Sequence, residues 1–371
     1  MRADSPVRVP RVLFAIGGLQ MGGSERQLVE LLTRIHPGRV EATVVTWDPV
    51  AHPDHEQRLR DTGVSHLHVG ELPRRRILRP PAAMRSLARI VRALRPDVVY
   101  PWLEQAAALL TPVARAHGIP VVIARRNTCG AGVEQRNPLS AIAIRSIERT
   151  ATLVTGNSLA VIDAARRRSI PAERLRVVRN GHAPELPLPL PLNGPVVIGY
   201  VAGFRREKGH LRLVDALAAL RTEIEWRVDL AGDGPLMSTV TREVGRHGLA
   251  EHVRFVGAIR DVRAFWAERS IAMLLSDYEG SPNALIEAAF AGRPLLGTNV
   301  AGIPEVIAPA GGYLVPRDSP TQTAWALARL IEDRRLRQNL GSGAHRQATA
   351  RFSMEAFVAG HVAAIHEALV A

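Results

Sequence analysis

Two short stretches concentrate charged side chains in the composition of ligand-binding turns. GFRREKGH (203–210) holds Lys208, the only lysine among the 48 lysines and arginines of the chain. An ammonium on a flexible stem is a compact point charge that a planar guanidinium does not copy. With Arg205 and Arg206 it gathers cations on one turn. A diphosphate leaving group needs such charge as its bond breaks, and a pair of cations supplies it without a metal. A solvated basic turn would explain the arginines but not the single lysine. The second stretch, SDYEGSPNALIEAAFAGRP (276–294), sets Glu279 in a loop and Glu287 on the helix that follows. Ser281 and Pro282 suit the N-cap and first position of that helix. Two carboxylates so placed can contact two parts of one polyhydroxyl ligand. The run ALIEAAFAG around Glu287 is almost wholly apolar, so this carboxylate is expected to be buried and to need a partner.

A third stretch, GGLQMGGSERQ (17–27), follows an apolar run and opens a helical one. Gly22 and Gly23 allow close backbone approach, Ser24 has N-cap chemistry, and the free N–H groups of such a turn can bind phosphate. The pattern is neither a dinucleotide fingerprint nor a P-loop. A purely structural glycine turn would look the same. AGIPEVI (301–307) is a further loop and helix start that turn geometry alone explains. The chain shows no Asp-x-Asp, no HExxH and no Cys/His cluster, so no metal site is expected.

These turns need strands to present them. VLFAI (12–16), ATVVTW (42–47), DVVY (97–100), PVVIA (120–124), ATLVTG (151–156) and LRVVRN (175–180) read as strands separated by helical patterns. APELPLPLPLNGP (183–195), with prolines at 184, 187, 189 and 191, reads as an extended, stiff linker. The alternation then resumes with VVIGYVAG (196–203), WRVDLAG (226–232), VRFVG (253–257), SIAMLLSD (270–277) and RPLLGTN (293–299). Helices are expected over 209–220, 235–247 and 282–291, with a last one of about 18 residues at the C-terminus. The expected architecture is α/β, with two doubly wound Rossmann-like domains facing across a cleft: residues 1–183, a linker over 184–195, a second domain over 196–350, and a terminal helix over 351–371 crossing back to the first domain.

Composition bounds the rest. A chain of 371 residues is too long for one ordinary core, and 46% hydrophobic residues is the balance of a globular protein. The single Cys129 fits a reducing cytoplasm. No apolar run has the length of a membrane span. The whole net charge of +13 falls in residues 1–183, which carry 28 Arg against 15 acidic residues; the remainder is neutral. Such asymmetry fits either an anionic partner for the first half or arginines that simply decorate solvated helices.

The chain resembles a family 4 retaining glycosyltransferase of the GT-B fold. Glu279 and Glu287 match the family's E-x7-E motif, and GSPNALIEAAFAGRPLLGTNVAGIPEVI (280–307) resembles its core throughout. VDLAGDGP (228–235), FVGAIRDV (255–262), GGSER (22–26), GNS (156–158) and RNGH (179–182) match supporting landmarks. The resemblance implies that Glu287 binds the ribose of a sugar nucleotide of UDP or GDP type. It implies that Glu279 and the backbone of Gly280, Ser281, Pro282 and Asn283 hold the transferred sugar, with Leu285 also at the donor site. Lys208 would neutralise the diphosphate, helped by the Gly23 N–H, with Gly22 and Gly203 also at the donor site, and Gly257 would border the base. Transfer would retain the anomeric configuration, with no cofactor and no metal. Two departures stand out. Gly203 occupies the place where the family usually has an arginine, so Arg205 is expected to supply that charge. Arg126, followed by Asn127, stands where many members carry a histidine, and is expected to meet phosphate or acceptor.

The acceptor belongs to the first domain in this resemblance, and the basic surface lies there. Arg74, Arg75, Arg76 and Arg79 precede a helix whose Arg85, Arg89, Arg92 and Arg95 share one face, with Leu87, Ile90, Val91 and Leu94 opposite. That face fits an anionic membrane carrying a lipid-linked acceptor, with the enzyme on the inner face of the plasma membrane. A soluble aglycone is the competing acceptor. A non-catalytic sugar-nucleotide-binding subunit and a GT-B sugar-nucleotide epimerase are the competing functions. Nucleic-acid binding has little support, with 4% aromatic residues and no recognition motif.

Overall fold

The computed structural model describes residues 8–48, 51–70, 79–128 and 138–371, so Arg74, Arg75, Arg76 and Cys129 lie outside the described residues. The chain divides into two compact units, residues 1–181 with 355–371, and residues 182–354.

In the first unit β1 (Arg11–Ala15), β2 (Glu41–Thr46), β3 (Ser65–His68) and β4 (Val98–Pro101) form a parallel sheet in the order β3-β2-β1-β4. Then β5 (Val122–Arg125), β6 (Leu153–Gly156) and β7 (Leu175–Val177) continue in parallel, joined to β4 through the bridges Val99–Val121 and Trp102–Ala124. Strands β4, β5 and β6 are buried at every position, as parallel strands covered by helices on both faces must be. Leu13, Val45, Val99, Ile123 and Val154 pack with Leu87 and Leu110 from the helices into one core.

The second unit carries β8 (Val196–Val201), β9 (Trp226–Ala231), β10 (Val253–Gly257), β11 (Ile271–Leu274), β12 (Leu295–Thr298) and β13 (Gly312–Val315) in the order β10-β9-β8-β11-β12-β13, all parallel. Both sheets therefore reverse their strand order once: between β1 and β4 in the first unit, and between β8 and β11 in the second. In open α/β sheets ligands bind beyond the carboxyl ends of the strands at such a reversal. This is the fold of two Rossmann-like halves that defines GT-B.

Several local expectations shift. The first helix spans Gly23–Ile35, and Gly22 caps it in an extended conformation while its carbonyl accepts from Arg26 N at 2.9 Å; Ser24 sits inside the first turn instead of capping it. The helix after β11 runs Asn283–Phe290 with Pro282 in the cap position, because Pro282 keeps an extended ψ of 103°; Ser281 lies one residue outside. Strands β3 (SHLH) and β13 (GYLV) had no strand signature. The first lacks a β-branched residue and the second begins on the second of two glycines, so neighbouring strands impose their pairing. Residues 184–195 hold no helix or strand and belong to the second unit, where Arg293 donates to the carbonyls of Leu188 and Pro189 at 2.9 Å each. The terminal helix spans Met354–Val370, and from Glu355 onward it groups with the first unit.

Candidate active site

The reversal of the second sheet brings together the two stretches singled out by their charge. After β8 the chain makes a 3-10 turn over Arg206–Lys208 and enters the helix His210–Ala219 through Gly209 at φ 69°. Glycine is required there: a Cβ would stand 1.9 Å from the carbonyl oxygen of Leu275. That close approach lays the turn against the loop after β11. Lys208 Nζ donates to Glu279 Oε1 at 2.6 Å, and Ser276 Oγ donates to the same oxygen at 2.8 Å. The lysine side chain remains 26% exposed and the glutamate 12%, so the pair opens to solvent.

Backbone and buried side chains hold the two loops in register. Tyr200, fully buried at the end of β8, donates its hydroxyl to the carbonyl of Lys208 and accepts from Leu275 N at 2.9 Å. Burial pushes the Tyr200 phenol well up, so it stays protonated. Asp277 N donates to Glu207 O at 2.7 Å. Arg212 reaches across to the Leu275 carbonyl at 2.7 Å and pairs with Asp277 at 2.9 Å. A cleft of about 350 Å³ beside the turn is lined in part by Arg206, His210, Arg212, Asp277 and Arg317. His210 is buried against Phe204, ring centroids 4.2 Å apart, and neither ring nitrogen has a hydrogen-bond partner. Burial, with the nearby Lys208 cation, lowers its pKa to about 4, so the ring is neutral at pH 7.

Glu287 is 7% exposed, inside the helix as its apolar flanks require. Gly280, Ser281 and Pro282 are buried, Asn283 is half-buried, and the Leu285 side chain is committed to the core. Arg205 is exposed at the start of the 3-10 turn. Gly203 leaves room, since a Cβ would meet only Asp233 O at 3.4 Å. Gly257 ends β10 at φ 76° with open space around it.

The first sheet fills its reversal differently. Trp102, just past β4, is fully buried and donates Nε1 to Ser24 O, in the first turn of the helix after β1, at 3.1 Å. Leu103 follows at φ 77° and ψ 161°, a conformation that only glycine adopts freely and that costs about 1–3 kcal/mol. Arg126 lies over the Trp102 ring at 4.7 Å and donates to Asn180 Oδ1 at 2.5 Å. Tyr100 OH is 2.6 Å from His361 Nδ1 and 3.1 Å from Thr155 Oγ1. Burial, and then the Arg126 charge, push His361 well below the usual histidine range. Gly22 is half-buried and Gly23 exposed on the glycine loop, and Asn127 is half-buried beside Arg126.

Sequence reasoning missed Tyr200, Ser276, Arg212 and Asp277 in the second unit, and Tyr100, Trp102 and His361 in the first. DVVYPW carried a usable signal, because two aromatics with polar tips at a strand's carboxyl end seek partners. His361 carried none, being 261 residues from the tyrosine it meets.

Comparisons with known proteins agree with the fold. Residues 21–186 match the family described as Glycosyltransferase Family 4, and residues 195–333 match Glycosyl transferases group 1. The chain belongs to the family 4, group 1 glycosyltransferases. It is 30% identical over 174 residues to N-acetyl-alpha-D-glucosaminyl L-malate synthase of Bacillus anthracis, a stretch covering 47% of this chain and 46% of that protein. The chain thus spans about half the length of that relative. It is 24% identical over 315 residues to EpsF of Bacillus subtilis (strain 168), covering 77% of this chain and 78% of the other. Among solved structures, Anabaena HepE in complex with UDP and glucose superposes with a TM-score of 0.80 at 20% identity, covering 94% of this chain and 97% of that one. Among the described residues, no helix is long and apolar enough to cross a membrane.

Proposed function

We propose that the chain is a retaining, metal-independent glycosyltransferase that moves a hexose-type sugar from a nucleotide-diphosphate sugar of UDP or GDP type to an acceptor hydroxyl. One observation carries this reading: the ammonium of Lys208 and the carboxylate of Glu279 meet at 2.6 Å where the second sheet reverses. The cation suits the diphosphate and the carboxylate suits the sugar hydroxyls. As the bond from C1 to the diphosphate oxygen breaks, negative charge grows on the leaving group beside Lys208, and Arg205 adds a second cation there. The acceptor hydroxyl attacks C1 from the face the diphosphate leaves, and its proton passes to the departing phosphate oxygen. Glu287 takes the ribose, and Gly257 borders the base. HepE, whose solved complexes contain UDP, glucose and UDP-glucose, lends support to a UDP-type donor.

A thermal-shift screen of nucleotide sugars tests the reading, because a ligand that binds only the folded state raises the melting temperature. A rise with a UDP- or GDP-sugar, and loss of transfer in Glu279→Ala, are the expected results. No shift with any nucleotide sugar would sink the donor site. Slow hydrolysis of the bound donor by the purified chain separates an enzyme from a non-catalytic subunit.

The acceptor reading places the chain in polysaccharide, glycolipid or secondary-metabolite synthesis. The Vi polysaccharide biosynthesis protein VipC/TviE of Salmonella typhi, 36% identical over 109 residues, supports the first of these. Arg85, Arg89, Arg92 and Arg95 are all exposed while Leu87 and Val91 are buried beneath them, which supports peripheral contact with an anionic membrane. Co-sedimentation with phosphatidylglycerol vesicles checks it. Equal binding to neutral vesicles would remove the idea.

A further inference from the structure

Five arginines are buried among the described residues, and two of them, Arg125 and Arg269, pair with acids. Arg125 pairs with Glu148, with Glu104 at 3.8 Å. Arg269 grips Asp229 through Nε at 3.0 Å and Nη2 at 2.7 Å. Arg293 donates to two backbone carbonyls of the proline-rich segment. Arg337 donates to the Leu330 and Ile331 carbonyls at 2.6 and 2.7 Å, at the negative end of a helix.

Among the described residues, Arg293 and Arg337 lack an acid but each grips two backbone carbonyls; Arg126 has neither. It is 5% exposed, yet no acidic side chain among the described residues pairs with it. Its contacts are the Asn180 amide oxygen and the face of Trp102, and its Nε has no hydrogen-bond partner. The other polar groups of the cluster are neutral: Tyr100 is held protonated by burial, and His361 is deprotonated. Burial lowers Arg126 itself to about 9, which leaves it cationic at pH 7. A buried charge without a counter-charge is costly. This one lies directly after β5, on the carboxyl edge of the sheet and one strand from its reversal, where ligands bind.

We propose that the missing counter-charge belongs to the acceptor: the first unit recognises its acceptor through an oxyanion, a carboxylate or a phosphate, that pairs with the Arg126 guanidinium. A guanidinium pairs with such a group through charge-assisted N–H bonds, and Trp102 packs against its face. The inference rests on the transferase reading, since it assigns the acceptor to the first unit. It adds a restriction on substrate, because a neutral aglycone would leave Arg126 unmatched.

The test uses the full chain saturated with UDP, so that the Lys208 turn is occupied and a second anion must bind elsewhere. Inorganic phosphate and sodium acetate are titrated separately against sodium chloride at matched ionic strength, with the melting temperature as the readout. Wild type is expected to gain about 2–4 °C with one of the two oxyanions at roughly tenfold excess over its dissociation constant. Which of the two acts tells a phosphate-bearing acceptor from a carboxylate-bearing one. Arg126→Met and Arg126→Gln are expected to lose the gain, and Arg126→Met without added anion to melt at or above the wild-type temperature, because a buried uncompensated charge has been removed. No oxyanion response in UDP-loaded wild type would overturn the proposal, and that measurement needs no variant to fold. An equal response in Arg126→Met would also overturn it. A tenfold loss of UDP affinity in Arg126→Gln would assign the arginine to the donor diphosphate and overturn it too. Failure of UDP to bind wild type at all would instead refute the donor site on which the inference stands.

Discussion

In the second unit the loops beyond β8 and β11 are joined by a partly exposed ion pair, Lys208 with Glu279, resting on backbone that Tyr200 ties together. In the first unit the matching turns after β1 and β4 are joined by a fully buried tryptophan, with an unneutralised arginine laid over it. The strand orders agree through the reversal, so topology explains where ligands sit but not what they are. The partly exposed pair keeps access to solvent, so a charged, polyhydroxyl ligand can compete for both its members. The buried cluster has far less freedom, because each polar group there is desolvated and must be matched. The proposed functions follow this contrast: the second unit would open around a donor, and the first would discriminate.

The sharpest way to break this contrast is to remove the counter-charge that does exist. Arg125 is fully buried between Glu148 and Glu104, so Arg125→Ala should destabilise the first unit by roughly 3 kcal/mol, the low end of the cost of breaking a buried pair, since Arg168 still reaches Glu148 at 3.5 Å. Urea unfolding checks it. A loss below about 1 kcal/mol would mean that the first unit tolerates unmatched charge, and the special status of Arg126 would go with it. Lys208→Ala comes next. It should lower turnover roughly 10²–10³-fold, as removal of one stabiliser of transition-state charge does, with little change in melting temperature. Rates measured at saturating donor separate this from weakened binding. Lys208→Arg asks whether an ammonium is specifically required; full activity would return the lone lysine to chance.

Acid titration ranks third. His210 titrates near pH 4 in the folded chain against about 6.5 unfolded, so below pH 6.5 the unfolded state binds the extra proton. Stability is therefore intact above pH 6.5 and falls as pH drops toward 4, by roughly 3 kcal/mol at full effect. His361 shifts in the same direction. Melting curves of His210→Phe between pH 7 and pH 4.5 should be flatter than those of wild type. Parallel curves would show that the histidine protonates without penalty. The smallest effect expected is on Gly203→Arg. The site has room for a side chain, so stability should change by less than about 0.5 kcal/mol. If Arg205 supplies the charge missing from position 203, Gly203→Arg should restore the activity that Arg205→Ala loses.

Most of the sheet framework was legible because parallel strands write themselves as short apolar runs: VVIGYV, WRVDLA and IAML appear as β8, β9 and β11 within a residue or two at most ends. SHLH and GYLV were not legible, since pairing with β2 and β12 makes them strands and composition does not. Lys208 and Glu279 could be singled out one at a time by charge and turn chemistry. Their contact at 2.6 Å spans 71 residues and depends on Gly209 meeting the Leu275 carbonyl, a tertiary event with no local signature. Arg126 was visible as a cation at a strand end. That it lacks an acid while its neighbour Arg125 has one follows only from the positions of Glu148 and Glu104.

The Tyr200 hydroxyl is a single atom to which the loops after β8 and β11 are both pinned. A push on Lys208 is therefore felt at the strand end that carries Ser276 and Glu279, as two teeth of one gear turn together. On the proposed donor site, a nucleotide diphosphate that drew the ammonium away would also release Glu279 Oε1 for a sugar hydroxyl. The two halves of a cleaved donor should accordingly help each other bind, with UDP tightening the hold on free sugar by the same factor as sugar tightens the hold on UDP. In Tyr200→Phe the gear loses its axle, and the two affinities should become independent.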